Sequence, residues 1–284
     1  MFSSQSLQTQ TTAPTRKTSN SRYEVTVART AHEVEEAQRL RYQVFFDEMG
    51  ATAARGAETR NNDERDCDQF DADCDHLLVR DVASGIVVGS YRILRPEMAR
   101  RRGAYYSDSE FDLSRLTHIR NSTAEVGRAC IHPDFRSGSV IMLLWSGLAK
   151  YMQQNNIAYV IGCASIPLQD GHENAIQVYQ HVAKQFLAPV ENRVFPKNPY
   201  PLGNSELALV ESNSATPYAL PTALTSIAPR IPALIKGYTR LGAWIGGAPA
   251  WDPDFNTADI FILLPLSRMT NAYAKHFLCD ANAA

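Results

Sequence analysis

One stretch constrains the fold more than any other. AEVGRACIHP (124–133) reads as a strand stopped by Pro133. FRSGSVIMLLWSGLAKYMQQNN (135–156) reads as a glycine-containing turn followed by an apolar helix, and IAYVIGCASI (157–166) as a buried strand. Strand, turn, helix and strand in direct succession form a crossover, and a crossover requires a layered α/β core. A strand that turns through glycine into a helix is also an anion cradle. The free N–H groups and the dipole of the helix N-terminus face a phosphate.

The flanking segments extend the same architecture. YEVTVA (23–28) alternates like a first strand, and AHEVEEAQRLRYQVFFDEMG (31–50) places Val34, Ala37, Leu40, Val44 and Phe45 at helical spacing. Residues 51–75 are polar and acidic and read as a loop. HLLVRDVASGIVVGSYRILRP forms two strands around a Ser-Gly turn, and residues 97–122 read as loop with a short helix. GHENAIQVYQHVAKQFL (171–187) is an amphipathic helix. Residues 188–232 carry eight prolines and little periodicity, and loops that long are usually functional. PALIKGYTRLGA (232–243) reads as a helix, ADIFILLPL (258–266) as a strand, and SRMTNAYAKHF behind it as a helix. The order is α/β, with a meander before the crossover. The Ser-, Thr- and Gln-rich residues 1–22 are expected to be a disordered leader.

Composition narrows the function. With 28 Lys+Arg against 30 Asp+Glu the net charge is −2, which argues against a broadly basic nucleic-acid binder. That total is a cancellation, because acidic charge concentrates at 58–75 and basic charge at 92–102. No apolar run approaches the ~20 residues of a membrane-spanning helix. Five scattered cysteines without a signal peptide suggest reduced thiols in a cytoplasmic protein. Cys67, Cys74, His76, Cys130 and His132 lack the tight cysteine pair of a zinc site, so no metal is expected.

Several motifs carry a family resemblance. Glu125-Val-Gly-Arg128 runs through His132-Pro133 into Arg136-Ser137-Gly138-Ser139, and Asn174-Ala175 precedes Tyr179 on the next helix. In that order they resemble the acyl-donor site of GNAT-type acyltransferases. Arg41-Tyr-Gln-Val44-Phe45, Asp68-Gln-Phe70-Asp71, Tyr91-Arg92 and Glu125-Val-Gly-Arg128 resemble the acyl-homoserine-lactone synthase branch. Gly89-Ser-Tyr-Arg-Ile-Leu-Arg-Pro96, Lys236-Gly-Tyr238 and Gly247-Ala-Pro-Ala-Trp-Asp252 look like a sibling group, the bacterial L-ornithine Nα-acyltransferases of ornithine-lipid synthesis. The resemblance spans roughly residues 23–278.

The resemblance implies one GNAT-like domain over 23–278, with a Pro-rich insertion around 188–232. Its central sheet would be mixed and largely antiparallel, flanked by helices. It implies transfer of a 3-hydroxyacyl chain from the phosphopantetheine arm of acyl carrier protein to the α-amine of L-ornithine. The product would be lyso-ornithine lipid, passed to a downstream O-acyltransferase, with no bound cofactor and no nucleic acid. The expected location is cytoplasmic, with peripheral contact at the inner membrane. Rival readings are an autoinducer synthase, another N-acyl amino acid synthase, or a non-catalytic acyl-carrier- or lipid-binding protein.

Each candidate residue carries two readings. Glu125 is a base for the amine or an ion-pair partner of Arg128, and His132 is a second base or a turn residue. The backbone N–H groups of Ala129, Cys130 and Ile131 would polarise the thioester carbonyl, with Arg136, Ser137 and Gly138 near the phosphopantetheine. Tyr179 is a proton donor to the thiolate or a core tyrosine. Arg41, Arg92 and Arg128 bind the amino-acid carboxylate or pair with Asp68, Asp71 and Asp75. Asp68, Asp71, Asp75, Asp252 and Asp254 are candidates for the amines of a cationic amino acid. Arg95, Arg100, Arg101 and Arg102 are a carrier-docking patch or a solvated loop.

Overall fold

In the computed structural model, residues 21–51, 64–169, 171–201 and 228–269 are described. The leader, the middle of the Pro-rich segment and all but the first residues of the helix expected from Ser267 lie outside them. The strands are β1 (Tyr23–Val27), β2 (Asp75–Asp81), β3 (Val87–Leu94), β4 (Phe111–Asp112), β5 (Thr123–Ile131), β6 (Tyr159–Pro167), β7 (Phe195–Pro196), β8 (Trp244–Ile245), β9 (Ala250–Asp252) and β10 (Thr257–Pro265). The helices are α1 (Ala31–Tyr42), α2 (Pro96–Arg102), α3 (Ser139–Gln154), α4 (His172–Phe186) and α5 (Ala233–Leu241). The main sheet runs β1-β2-β3-β5-β6-β10-β8, with β9 also on β10. Only the β5–β6 pair is parallel, as the α3 crossover dictates; every other pairing in this sheet is antiparallel.

Alternation along β2 shows the two faces. Leu77 and Val79 join the cluster built with α3, α4 and α5, whereas Leu78 joins Ala37, Leu40 and Val44 of α1. β3 and β10 are buried at every position, as central strands covered on both sides are. α1 starts with a capping box, in which the Thr30 side chain accepts from the Glu33 N–H and Glu33 accepts from the Thr30 N–H. Its continuation, Gln43–Glu48, widens into a π-helical turn, so the helix expected to 50 changes pitch halfway. Within the stretch expected as loop with a short helix, the helix is Pro96–Arg102, because Pro96 occupies the first turn where no N–H is needed. Ala250–Asp252 pairs with β10 as strand β9.

The feature that positions the site is a fork. β5 and β6 pair only over Thr123–Glu125 and Tyr159–Ile161; beyond that, β5 stays with β3 and β6 with β10. On β5 the register to β3 jumps from Ser90↔Cys130 to Arg92↔Gly127, so Arg128 and Ala129 stand opposite Tyr91 alone. This is a bulge, and Arg128 takes φ +50° within it. A bulge bends and overtwists its strand, which swings the end of β5 away from β6. Gly162 sits where the strands part: a Cβ there would lie 2.3 Å from the Val126 carbonyl oxygen.

Candidate active site

A cavity of about 930 Å³ fills the fork. On the α3 side its wall is Tyr91, Val126, Leu144, Trp145 and Tyr238, all members of the main core cluster. The Tyr91 and Tyr238 hydroxyls meet at 2.6 Å, and the Trp145 ring lies so close to Gly237 that any side chain there would collide with it. On the opposite face of the sheet the wall is Phe70, Cys74, Arg92, Tyr106, Glu125 and Cys163. The cavity therefore passes through the sheet, apolar on one side and polar on the other.

Above the polar side lies a closed network of charge. Arg41 is fully buried; its Nε donates to Asp66 at 2.8 Å, and Nη1 and Nη2 each donate to Asp71 at 2.9 Å. Arg92 Nη1 donates to Asp68 at 2.6 Å and to Asp71 at 3.0 Å, and Arg128 reaches Asp66 at 3.1 Å and Asp68 at 3.3 Å. Burial by itself would raise the carboxyl pKa values, but the guanidiniums outweigh it and hold Asp68 and Asp71 below the usual range. Asp75, expected in this network, instead accepts from the Tyr151 hydroxyl and pairs with Arg95. Asp66, which no motif marked, takes its place.

Glu125 lies in the last β5–β6 pair before the fork. Its carboxylate accepts from the N–H of Tyr106 at 2.5 Å, the N–H of Ser107 at 2.8 Å and the Ser107 hydroxyl at 2.5 Å. Burial pushes its pKa up, and these hydrogen bonds only partly offset that. It forms no ion pair with Arg128, which is committed to Asp66 and Asp68.

The remaining candidates divide by position. Ala129, Cys130, Ile131, Arg136, Gly138, Arg92, Arg128 and Asp252 line the cavity beside Glu125. Arg136 also holds Glu48 through both guanidinium nitrogens, at 2.5 and 2.6 Å. Arg41, Asp68 and Asp71 do not line it, because pairing turns them onto one another. Tyr179 is 1% exposed in the main core cluster, away from the cavity wall. His132 is also off the wall; its ring meets Gln43 at 3.4 Å and the N–H of Asp134 at 3.3 Å. Ser137 faces Ser139, 3.2 Å between hydroxyls. In the basic run, Arg95 pairs with Asp75 and Glu97, and Arg102 pairs with Asp73, while Arg100 and Arg101 are exposed on α2. The cysteine–histidine set weighed for zinc does not gather among the described residues.

A second acidic group was not anticipated. Glu110, Cys163 and Asp259 place their ligating atoms within 4.8 Å of one another, and Asp252 and Asp259 line the cavity. One signal was present in the sequence: Asp259 interrupts the otherwise apolar run of β10. Glu110, in a stretch read as loop and short helix, was given no role. Among the described residues no helix is long and apolar enough to cross a membrane.

Comparison with known proteins agrees with this architecture. A family model described as an acetyltransferase (GNAT) domain matches residues 40–146. An N-acyl amino acid synthase from uncultured soil microbes, FeeM, shares the fold with a TM-score of 0.50 at 12% identity, covering 88% of this chain and 96% of that one. An L-ornithine N(alpha)-acyltransferase of Brucella abortus is 32% identical over 274 residues, 91% of this chain and 90% of that protein. One of Agrobacterium fabrum is 35% identical over 263 residues, 89% of this chain and 84% of that protein. With likeness of this degree over nearly the whole length, the chain belongs to the L-ornithine N(alpha)-acyltransferase family.

Proposed function

We propose that this protein transfers a 3-hydroxyacyl chain from acyl carrier protein to the α-amine of L-ornithine. The observation that carries this reading is the cavity that passes through the sheet, apolar on the α3 face and polar around Glu125 and Asp252. A fatty chain and an amino acid need those two surfaces on either side of one reacting carbon. Each methylene buried on the apolar side contributes about 0.8 kcal/mol to binding.

The phosphopantetheine arm would lie along the β5 edge freed by the fork, at Ala129–Ile131, with its phosphate toward Arg136 and Gly138. The amine would approach from the polar side. Its nitrogen attacks the thioester carbon, Glu125 accepts a proton from that nitrogen, and the carbon–sulfur bond breaks. The thiolate leaves on the carrier arm and takes up the proton. A carboxyl group with a raised pKa suits this transfer near neutral pH, because it both accepts and returns the proton readily. Arg100 and Arg101 give α2 an exposed basic face for the acidic carrier. The reaction needs no bound cofactor. The product is a single-chain amphiphile with a free hydroxyl, the substrate of an O-acylation step. Reaction in the cytoplasm with release at the inner membrane fits such a product.

The test is to incubate the purified protein with 3-hydroxyacyl carrier protein and mixed amino acids and read the products by mass spectrometry. Acyl-ornithine is expected, and Glu125→Gln should lower turnover by about 10²–10⁴-fold. No acylated amino acid from any acceptor would remove the reading.

A further inference from the structure

Asp252 and Asp259 line the cavity from two paired strands, and Glu110, on a loop, lies beside Asp259 and Cys163. Asp252 stands across from Thr257 on β9, and Asp259 stands two residues further along β10. Asp259 faces Ser165 on β6, on the same side as Cys163. Both carboxylate oxygens of Glu110 are buried, and the polar groups beside them are Asp259 and Cys163, neither of which brings a positive charge. Asp259 is 4% exposed and accepts from the Thr257 hydroxyl at 2.8 Å. No Lys or Arg pairs with any of the three among the described residues, although the arginines of the neighbouring network are fully matched by aspartates. Burial raises the pKa of Glu110, and Asp259 and Asp252 raise it further; Asp259 is pushed up to about 6. A buried carboxylate group of this kind is left short of either a proton or a cation.

We propose that Glu110, Asp252 and Asp259 form the subsite for the side-chain ammonium of the acceptor amino acid. An ammonium brings one positive charge and three N–H donors to carboxylates that have no cation of their own. The geometry also sets the spacing. Cys163 Sγ lies 3.4 Å from the Ser107 hydroxyl, which donates to Glu125 at 2.5 Å. The base and the acidic corner are thus separated by one serine and one cysteine side chain, a gap that a short alkyl side chain spans. An amine acylated at Glu125 and a second ammonium held at Glu110 and Asp259 describe a short diamino acid. A neutral side chain would leave the carboxylates unmatched, so the corner selects by charge as well as length.

This inference rests on the ornithine acyltransferase reading and deepens it. The test compares kcat/KM for ornithine and for norvaline, which has the same carbon skeleton without the side-chain amine, using 3-hydroxyacyl carrier protein as donor. The wild-type enzyme should prefer ornithine by about 10³-fold or more. Glu110→Gln with Asp259→Asn should lower ornithine kcat/KM by about 100-fold and raise that of norvaline. Asp252→Asn, at a half-buried position, is the second variant and should reduce the preference by about 10-fold. A thermal melt of each variant shows that it folds, and ornithine should raise the Tm of the wild type more than that of the variants. Folded variants that keep the full ornithine preference would overturn the subsite and leave the acyltransferase reading intact. A wild-type protein that acylates no amino acid would remove both. Ornithine turnover abolished by chelation and restored by Zn²⁺ would make Glu110, Cys163 and Asp259 a metal site and overturn the proposal.

Discussion

Arg41, Arg92 and Arg128 meet Asp66, Asp68 and Asp71 in matched pairs, whereas Glu110, Asp252 and Asp259 meet no cation among the described residues. Both groups are largely buried, and both border the same fork. The first is closed: every guanidinium has its carboxylates, and its members mostly turn away from the cavity. It ties α1, the segment around Asp68 and the bulge of β5 to one another, and so holds the fork open. The second is open, and two of its three members face the cavity. Matched charge here builds the frame, and unmatched charge is what remains for a ligand.

The largest expected effect tests the closed network. Asp71→Ala leaves Arg41 and Arg92 short of a partner in the interior and should cost about 3–5 kcal/mol in a urea titration. A loss below about 1 kcal/mol would mean that the network relaxes around the gap, and the contrast between the two groups would collapse.

The next effect has opposite signs in the two regions. Asp68 and Asp71 are depressed, so their stabilisation is present above the unfolded carboxyl value of ~3.9 and is lost as pH falls below it. Asp259 is raised to about 6, so its contribution is full below ~3.9 and is lost as pH rises through about 6. Unfolding midpoints measured from pH 3 to 8 should therefore decline at both ends. Glu110 and Glu125 are raised as well and share the alkaline limb, so Asp259→Asn should shrink that decline by on the order of 1–2 kcal/mol without abolishing it, and leave the acid limb in place. A variant with both limbs unchanged would show that Asp259 is not held out of ionisation.

The smallest effect extends the comparison to the surface. Arg95 and Arg102 are paired, while Arg100 and Arg101 are exposed. Reversing Arg100 and Arg101 to Glu should slow carrier-dependent turnover by a few-fold at low salt, and the effect should fade as salt rises. Equal rates at low salt would return that face of α2 to ordinary solvated surface.

The long elements were legible because their signals are local. The apolar period of α3, the alternation of β1 and the apolar run Ile260–Leu264 of β10 each belong to a few consecutive residues. Glu125, Arg128 and Arg136 were also legible, since they share one strand–turn–helix unit and one family pattern. Short elements were harder. β9 has three residues and owes its extended form to pairing with β10, and α2 spans seven residues beginning with a proline.

The partnerships of the charged groups follow a different logic. Asp75 was a natural partner for the arginines by position, yet its strand carries it to Tyr151 and Arg95. Asp66 sits in a stretch with no periodicity and still holds two arginines. Asp252 and Asp259 are brought together by the register of β9 on β10, and Glu110 meets them from a distant part of the chain. Periodicity and motif order thus set which helices and strands form and which unit would hold the donor. Which charge is matched and which is left for a ligand was settled by strand register and the bulge at Arg128, because electrostatics depends on distance in space, not along the chain.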